Sequence, residues 1–308
     1  MNRDILSDFV NIVGDENVVA NEPMSKHTSF KIGGNADFFT TPINIEQIKG
    51  IITYCAQNAI PYFVMGNGSN LLVSDDGYRG VIIQLYDKFN HIEYADNGRK
   101  IIAKAQAGVM LGRLGNELMN KSITGFEFAT GIPGTVGGAI MMNAGAYDGE
   151  MKDVIISACV MDSLGNLVKL NNSQLELGYR TSIILKKEYI VIEAEFELEK
   201  GNQEEIKNKV KHFSARRLEK QPLELPSAGS TFKRPKGNFA GKLISDANLI
   251  GYTVGGAQVS KKHAGFVVNI GNATAADIIK LTNDVKNKVE EQFGVELELE
   301  VRKLGFDK

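Results

Sequence analysis

Tryptophan is absent from this chain, cysteine occurs twice and histidine four times. Cys55 and Cys159 stand far apart, each inside an apolar run, which argues against a disulfide framework or a thiolate metal site and fits a reducing compartment. His27, His91, His212 and His263 show no metal-ligand spacing of the His-Glu-x-x-His kind, so no metal is expected. Charge of neither sign prevails. Thirty-five lysines and arginines face 37 acidic residues, a net charge of −2, which excludes a global basic field for nucleic acid. The N-terminal stretch MNRDILSDFVNIVGDENVV has no apolar core of signal-peptide length. No segment is apolar for long enough to span a bilayer, and a cytoplasmic protein is expected.

What remains is a globular composition, 43% hydrophobic and 23% charged, in 308 residues that accommodate one large domain or two modest ones. Glycine departs from the ordinary: there are 32, and many cluster. The stretch GFEFATGIPGTVGGAIMMNAGA, 125–146, carries one charged residue, Glu127, and neither lysine nor arginine.

Periodicity predicts an amphipathic helix over 1–20 with Ile5, Phe9, Ile12 and Val13 on one face, and helices over 44–59 and 109–123. Between them, 27–39 reads as a turn entering a strand, and 61–70 as a short strand running into a glycine turn. Strand-like runs follow at 80–86, 101–108, 154–163 and 189–198. The texture changes near residue 204. A charged helix (203–221), a loop (225–238), a helix ended by Gly251 (239–250) and a long amphipathic helix (274–294) lead to VELELEVRKLG, whose alternation predicts a half-buried strand. The expected class is α+β: residues 1–204 form one domain with lobes of about 1–65 and 66–204, and 205–308 form a C-terminal α/β domain. No fixed-period repeat or low-complexity segment interrupts it.

Two stretches have the content of a phosphate cradle, GNGSNLL (66–72) and the 125–146 loop. Small residues let successive backbone N–H groups point into one concavity and hold an anion without a charged side chain. Such a grip suits a cofactor that stays bound, and an uncharged loop suits a flat, largely apolar ring. Residue content alone leaves each loop open between that reading and a tight turn joining strands. The standard fingerprints fail. Leu71 stands where the dinucleotide pattern needs its third glycine, and in GNFAGKL (237–243) the spacing is wrong for a P-loop and Leu243 replaces the Ser or Thr.

Six motifs occur in order: GNGSNLLVSDDGYRGVII, FATGIPGTVGGAIMMNAGAYDGE, LGYRTSIIL, SAGSTFKRP, AGKLIS and LEVRKLG. Together, and over about residues 20–305, they resemble the UDP-N-acetylenolpyruvoylglucosamine reductase family, flavoenzymes that make UDP-N-acetylmuramic acid for peptidoglycan. The chain is similar to the shorter, second-type form, since no extra tyrosine-bearing loop follows the GYR motif. The resemblance implies an FAD-binding fold of the PCMH or vanillyl-alcohol-oxidase type, with non-covalent FAD, and a C-terminal UDP-sugar domain. It also implies NADPH as co-substrate, entering the same pocket without a nucleotide domain of its own, and no obligate protein partner. FAD contacts are then expected at Gly66, Asn67, Gly68, Ser69, Asn70 and Leu71, and at Gly131, Pro133, Gly134, Gly137, Gly138, Ala139, Asn143, Gly145 and Ala146. His27 would be the nearest tether if FAD were covalent.

The implied chemistry adds a hydride at C3 of an enolpyruvyl group and a proton at C2, pushing charge into the substrate carboxylate. A cation, an acid and a proton donor are needed there. Arg180 matches the family's cation, and its planar fork suits a carboxylate; read without the family, it is a surface or salt-bridge arginine. Glu300 matches the catalytic glutamate. It is expected to be protonated through burial and the neighbouring substrate anion, whereas Glu296 and Glu298 read as a solvated strand face. Ser230 matches the proton donor, its hydroxyl made useful by a cation such as Lys233 or Lys242; residue content alone does not choose it over Ser227 or separate either from turn chemistry. Tyr179 packs or orients the site. For the UDP diphosphate, Lys220 and Lys233 rank ahead of Arg234, Lys261 and Lys262. Two other classes stay open on residues alone. A flavin oxidase of the same fold would produce hydrogen peroxide, and a non-catalytic nucleotide-sugar-binding protein would be colourless.

Overall fold

The structure is a computed structural model that describes residues 3–98 and 100–306. The chain forms two compact units. The first takes residues up to Ala20, then Phe38–Asn67 and Gly80–Arg216. The second takes Asn21–Asp37, Gly68–Arg79 and the residues from Arg217 onward. Two segments from the first quarter of the chain thus join the C-terminal residues, where the sequence alone suggested a single boundary near residue 204.

The first unit opens with the helix Arg3–Val13, which buries Phe9 and Val13. It stops well short of residue 20. Gly14 turns the backbone to a φ of 89°, which favours glycine, and the β-branched pair Val18-Val19 starts the strand Val18–Pro23. Helix Ile45–Gln57 is capped by Asn44, whose side chain accepts from the Gln47 N–H, and buries Ile48, Ile51, Ile52 and Cys55. The strands Val18–Pro23, Asn35–Thr40, Tyr78–Gln84 and Tyr62–Met65 form a sheet in that order, the last pair parallel with Tyr62 opposite Val81.

A larger antiparallel sheet orders Leu167–Asn171, Ile155–Met161, Ile190–Lys200, Lys100–Gln106 and Ile92–Asp96, with Ile123–Thr124 pairing to the side. Strand Ile190–Lys200 alternates. Ile192, Ala194, Phe196 and Leu198 face the core, where the Phe196 and Phe126 rings meet edge-on at 5.5 Å. Its other face pairs charges across strands: Lys104 with Glu193 at 2.8 Å, Lys169 with Glu195 at 2.9 Å, and Lys100 with Glu197. Helix Leu111–Asn120 packs Leu111, Leu114 and Leu118 into the same core.

The second unit is built on the helix Ala275–Phe293, which buries Ile278, Leu281, Val285 and Val289 and ends at Gly294 in the left-handed region. Thr274 and Asp277 close a reciprocal cap at its start. The Asp75 carboxylate also accepts from the N–H groups of Ala275 (2.7 Å) and Ala276 (3.0 Å), fastening the 68–79 segment to this helix. A three-stranded sheet, Thr253–Val254, Ala257–Val259 and Val267–Asn269, lies in the same unit. Helix Ala240–Asp246 ends before the expected Gly251, with Asn248 taking the left-handed turn at φ 57°. The expected C-terminal strand shrinks to Arg302–Leu304, parallel to Leu71–Val73. The alternation still sets the facing of 295–301, with Leu297 and Val301 buried and Glu296 and Glu298 exposed. A continuous ladder fails there because the facing segment makes one bridge, Phe232 to Leu299, before Pro235, which has no N–H to donate.

Candidate functional site

In the first unit the two glycine loops pack on each other. A Cβ on Gly66 would sit 2.2 Å from Thr135 Oγ1, so only glycine allows the approach. Asn67 Nδ2 donates to the Pro133 carbonyl at 2.8 Å, and Gln84 Nε2 to the Gly66 carbonyl at 3.2 Å. The second loop enters the short helix Val136–Met141, pinned from below: Val136 N–H donates to Val109 O (2.8 Å), Gly137 N–H to Ala107 O (2.9 Å), and Gly134 O accepts from Leu111 N–H (3.0 Å). Ala139 is buried, while Gly131, Pro133 and Gly138 are exposed. Gly145 and Ala146 form one arm of a hairpin with Gly149–Glu150. Its two-residue turn holds Tyr147 at φ 52° and Asp148 at φ 66°. Tyr147 stacks on Phe213 at 4.2 Å and donates to the Phe213 carbonyl.

Asn143 is buried and commits its side chain within the unit: Nδ2 donates to Glu150 Oε2 (2.8 Å) and Gly178 O (3.2 Å), and Oδ1 accepts from Lys152 N–H (3.0 Å). Gly178 and Thr181 exchange backbone hydrogen bonds at 3.0 and 3.2 Å and close a turn over Tyr179 and Arg180. Arg180 has a φ of 53° and is half-buried. Its guanidinium lies 5.2 Å from the exposed Tyr179 ring.

The rest of the first glycine loop belongs to the second unit. Gly68 takes a φ of 62° and its carbonyl accepts from Ser29 N–H at 3.2 Å. Ser69 is half-buried, and Leu71 is buried in the short parallel pair with Arg302–Leu304. Asn70 grips the C-terminal segment at both ends of Val301: Nδ2 donates to Glu300 O at 3.1 Å and its carbonyl accepts from Arg302 N–H at 3.1 Å.

Ser230 and Glu300 come together in this unit through Thr231. Ser230 pairs with Phe266 and is exposed. Thr231 is buried; its N–H donates to Gly265 O (2.9 Å), its Oγ1 accepts from Val267 N–H (2.8 Å), and its carbonyl accepts from Glu300 N–H (2.9 Å). Glu300 is half-buried, unlike Glu296 and Glu298. Lys233 donates its N–H to Glu298 O and its Nζ to Glu298 Oε2, both at 2.8 Å, and that ammonium holds the Glu298 carboxyl below the usual range.

Lys242 pairs with Asp246, and Lys262 Nζ donates to Leu218 O at 2.7 Å. Lys220 is the exposed last residue of helix Gln203–Lys220, and Lys261 is exposed. Arg234 lies 4.1 Å from the Phe239 ring. His27 Nε2 lies 3.0 Å from Glu22 Oε1. Asp75, Ser182 and His263 were not marked by the sequence. His263 Nδ1 accepts from Gly265 N–H at 3.1 Å, and burial pushes its pKa below the usual value. A histidine two residues before a glycine in KKHAGF is the only local signal it carries. Among the described residues no cluster of metal-ligating side chains occurs, and no helix is long and apolar enough to cross a membrane.

Two family models match the chain. Residues 36–171 match the family described as FAD binding domain, and 221–304 match UDP-N-acetylenolpyruvoylglucosamine reductase, C-terminal domain. The chain is therefore an α+β flavoprotein oxidoreductase with a PCMH-type FAD-binding fold and an appended C-terminal domain. It is 53% identical over 305 residues to UDP-N-acetylenolpyruvoylglucosamine reductase of Lachnoclostridium phytofermentans, covering 99% of this chain and 98% of the relative. It is 51% identical to that of Clostridioides difficile, covering 99% of each. The solved reductase of Thermus caldophilus superposes with a TM-score of 0.78 at 33% identity, over 93% of this chain and 98% of the other. The chain belongs to the UDP-N-acetylenolpyruvoylglucosamine reductase family.

Proposed function

We propose that this protein reduces the enolpyruvyl group of UDP-N-acetylglucosamine enolpyruvate to UDP-N-acetylmuramate at the expense of NADPH, in cytoplasmic synthesis of peptidoglycan precursors. The observation that carries this reading is the hydrogen bond from the Glu300 N–H to the carbonyl of Thr231, the residue after Ser230, in a chain whose 221–304 region matches the reductase C-terminal domain. The glycine loops fit FAD. Gly66 lets the two loops close on each other where a Cβ would strike Thr135, and Gly131, Pro133 and Gly138 present an exposed, uncharged backbone. When bound, FAD supplies the two-electron chemistry between NADPH and substrate.

The chain's own residues do the rest. Arg180 holds the substrate carboxylate and stays charged as negative charge builds on it. Protonated Glu300 donates a hydrogen bond to the same developing charge. Ser230 Oγ delivers the proton to C2. Lys233, restrained by Glu298, and Lys220 take the diphosphate, and Tyr179 borders the sugar acid. No side chain is assigned to a covalent flavin link.

The deciding experiment mixes the NADPH-reduced protein anaerobically with UDP-N-acetylglucosamine enolpyruvate and follows the return of the oxidised-flavin band. Reoxidation with formation of UDP-N-acetylmuramate supports the reading. A protein that reoxidises only with oxygen, releasing hydrogen peroxide, is an oxidase instead. Ser230→Ala should slow reoxidation by about a hundredfold or more while leaving reduction by NADPH nearly intact; equal loss in both halves removes Ser230 as donor. Full reoxidation by Glu300→Gln removes Glu300.

A further inference from the structure

We propose that Asn143 and Ser182 are positioning residues for Arg180: they clamp both ends of its turn to the helix that continues the second glycine loop. The inference rests on the role given to Arg180 above.

Arg180 stands at φ 53°, where residues with a Cβ are seldom found, in a turn of two residues. The Gly178–Thr181 pair closes that turn but leaves its direction free. Two buried polar groups remove the freedom. On one side Asn143 Nδ2 donates to the Gly178 carbonyl at 3.2 Å. On the other Ser182 Oγ donates to the Met141 carbonyl at 2.7 Å and accepts from Leu185 N–H at 3.3 Å, capping the short helix Ile183–Lys187. Asn143 is 1% exposed and Ser182 0% exposed, so both donor side chains are withdrawn from water. Met141 ends the helix that starts after Thr135, and Asn143 follows it by two residues.

The chemistry selects these side chains. Asn143 must donate to two acceptors, Glu150 Oε2 and Gly178 O, and accept from Lys152 N–H, which an amide does and a carboxylate or hydroxyl does not. The partners also fix which end is oxygen. Its own φ of 42° is a left-handed value that asparagine tolerates. The backbone proposed above to receive FAD lies in the same segment, so Arg180 is held at a set offset from that loop. A cation that must meet a carboxylate at a defined distance loses most of its effect when its backbone wanders by an ångström.

The test separates positioning from general support. Ser182→Ala, loaded with FAD, is expected to reoxidise with saturating UDP-N-acetylglucosamine enolpyruvate about tenfold or more slowly than the parent. Its reduction by NADPH should stay within about twofold, because Arg180 has no part in that half. In an Arg180→Ala background the Ser182→Ala change should add nothing further, as expected of two residues acting through one interaction. Asn143→Gly, which keeps the left-handed backbone accessible and is compared in the reoxidation half alone at full FAD loading, serves as the second variant and should slow that half to a similar degree. Equal slowing of both halves, or losses that multiply fully with Arg180→Ala, overturns the proposal. If Arg180→Ala itself reoxidises at the parental rate, the role of Arg180 has failed instead, and that result is read from the single variant.

Discussion

The Glu300 N–H donates to the Thr231 carbonyl at 2.9 Å, so Glu300 is tied through the backbone to the residue that follows Ser230. Both Ser230 and Glu300 are proposed above to act on the substrate. Thr231 spends every polar group on this task, with its N–H on Gly265 and its hydroxyl under Val267. Thr231 is buried, whereas Ser230 beside it is exposed and Glu300 is half-buried.

Thr231→Val should therefore damage the site without touching a reacting atom. It keeps the shape and leaves the Val267 N–H buried without its acceptor, a loss of about 1–3 kcal/mol. Differential scanning calorimetry should show a lowered transition, and reoxidation of reduced flavin by substrate should slow more than reduction by NADPH. An unchanged transition temperature would mean that the Val267 N–H finds another partner.

Much of the fold was legible because its helices carry local signals. Ile45–Gln57 and Ala275–Phe293 have both a 3.6-residue apolar stripe and a capping side chain, and each lies within a residue or two of its expected bounds. Strand Ile190–Lys200 showed as an alternating apolar run. What could not be read depends on partners distant in the chain. Leu167–Asn171 and Ile92–Asp96 are exposed edge strands with weak alternation. The C-terminal alternation gave the correct facing for Leu297, Glu298 and Val301 but not the length of the ladder, which its partner segment limits. Asn70 meets Glu300 across 230 positions, and Asp75 meets Ala275 across 200. No window of sequence holds such pairs. The same holds around the proposed site: motifs marked Arg180, Ser230, Glu300 and Asn143, but not the hydrogen bond from Asn143 to the Gly178 carbonyl, 35 positions away.

Gly66 is where the two glycine loops touch most closely. Gly66→Ala puts a methyl group 2.2 Å from Thr135 Oγ1 and 3.0 Å from its Cγ2, so one loop must move. The expected result is a folded protein that purifies with much less flavin and needs at least about tenfold more FAD for half-saturation, a loss of about 1.4 kcal/mol. Flavin content per chain and a fluorescence titration measure it. Parental affinity would show that the loop contact is irrelevant to the cofactor.

Glu127, the one charge in the 125–146 loop, is a buried carboxylate. Burial alone would raise its pKa, but hydrogen bonds from Thr124 Oγ1 (2.6 Å) and Gly125 N–H (3.0 Å), with Lys209 at 3.5 Å, hold it below the usual value of 4.5. A carboxylate depressed on folding contributes stability that is complete above its unfolded pKa and is lost as pH falls through the folded one. Urea unfolding of the parent and of Glu127→Gln should differ by about 1–3 kcal/mol near neutrality, and the gap should close as pH falls below about 4.5. A gap independent of pH would mean that Glu127 acts by shape alone.

His263 gives the opposite kind of titration in the second unit. Burial lowers its pKa, and its neutral Nδ1 accepts from the Gly265 N–H, whose own carbonyl receives Thr231. The folded protein resists a proton that the unfolded chain takes up near pH 6.5, so stability falls as pH drops below about 6.5 and stops falling at the depressed folded pKa. A proton on Nδ1 would face the Gly265 N–H donor and push at the strand that carries Thr231 and Ser230. Proton NMR of the His263 ring should show it neutral at pH 6.5. His263→Asn, whose side-chain oxygen can still accept from Gly265, should flatten the stability profile just below about pH 6.5 while retaining much of the neutral-pH stability. A His263 ring that titrates with the ordinary value, or a variant with the parental acid profile, would place the pH sensitivity of the second unit elsewhere.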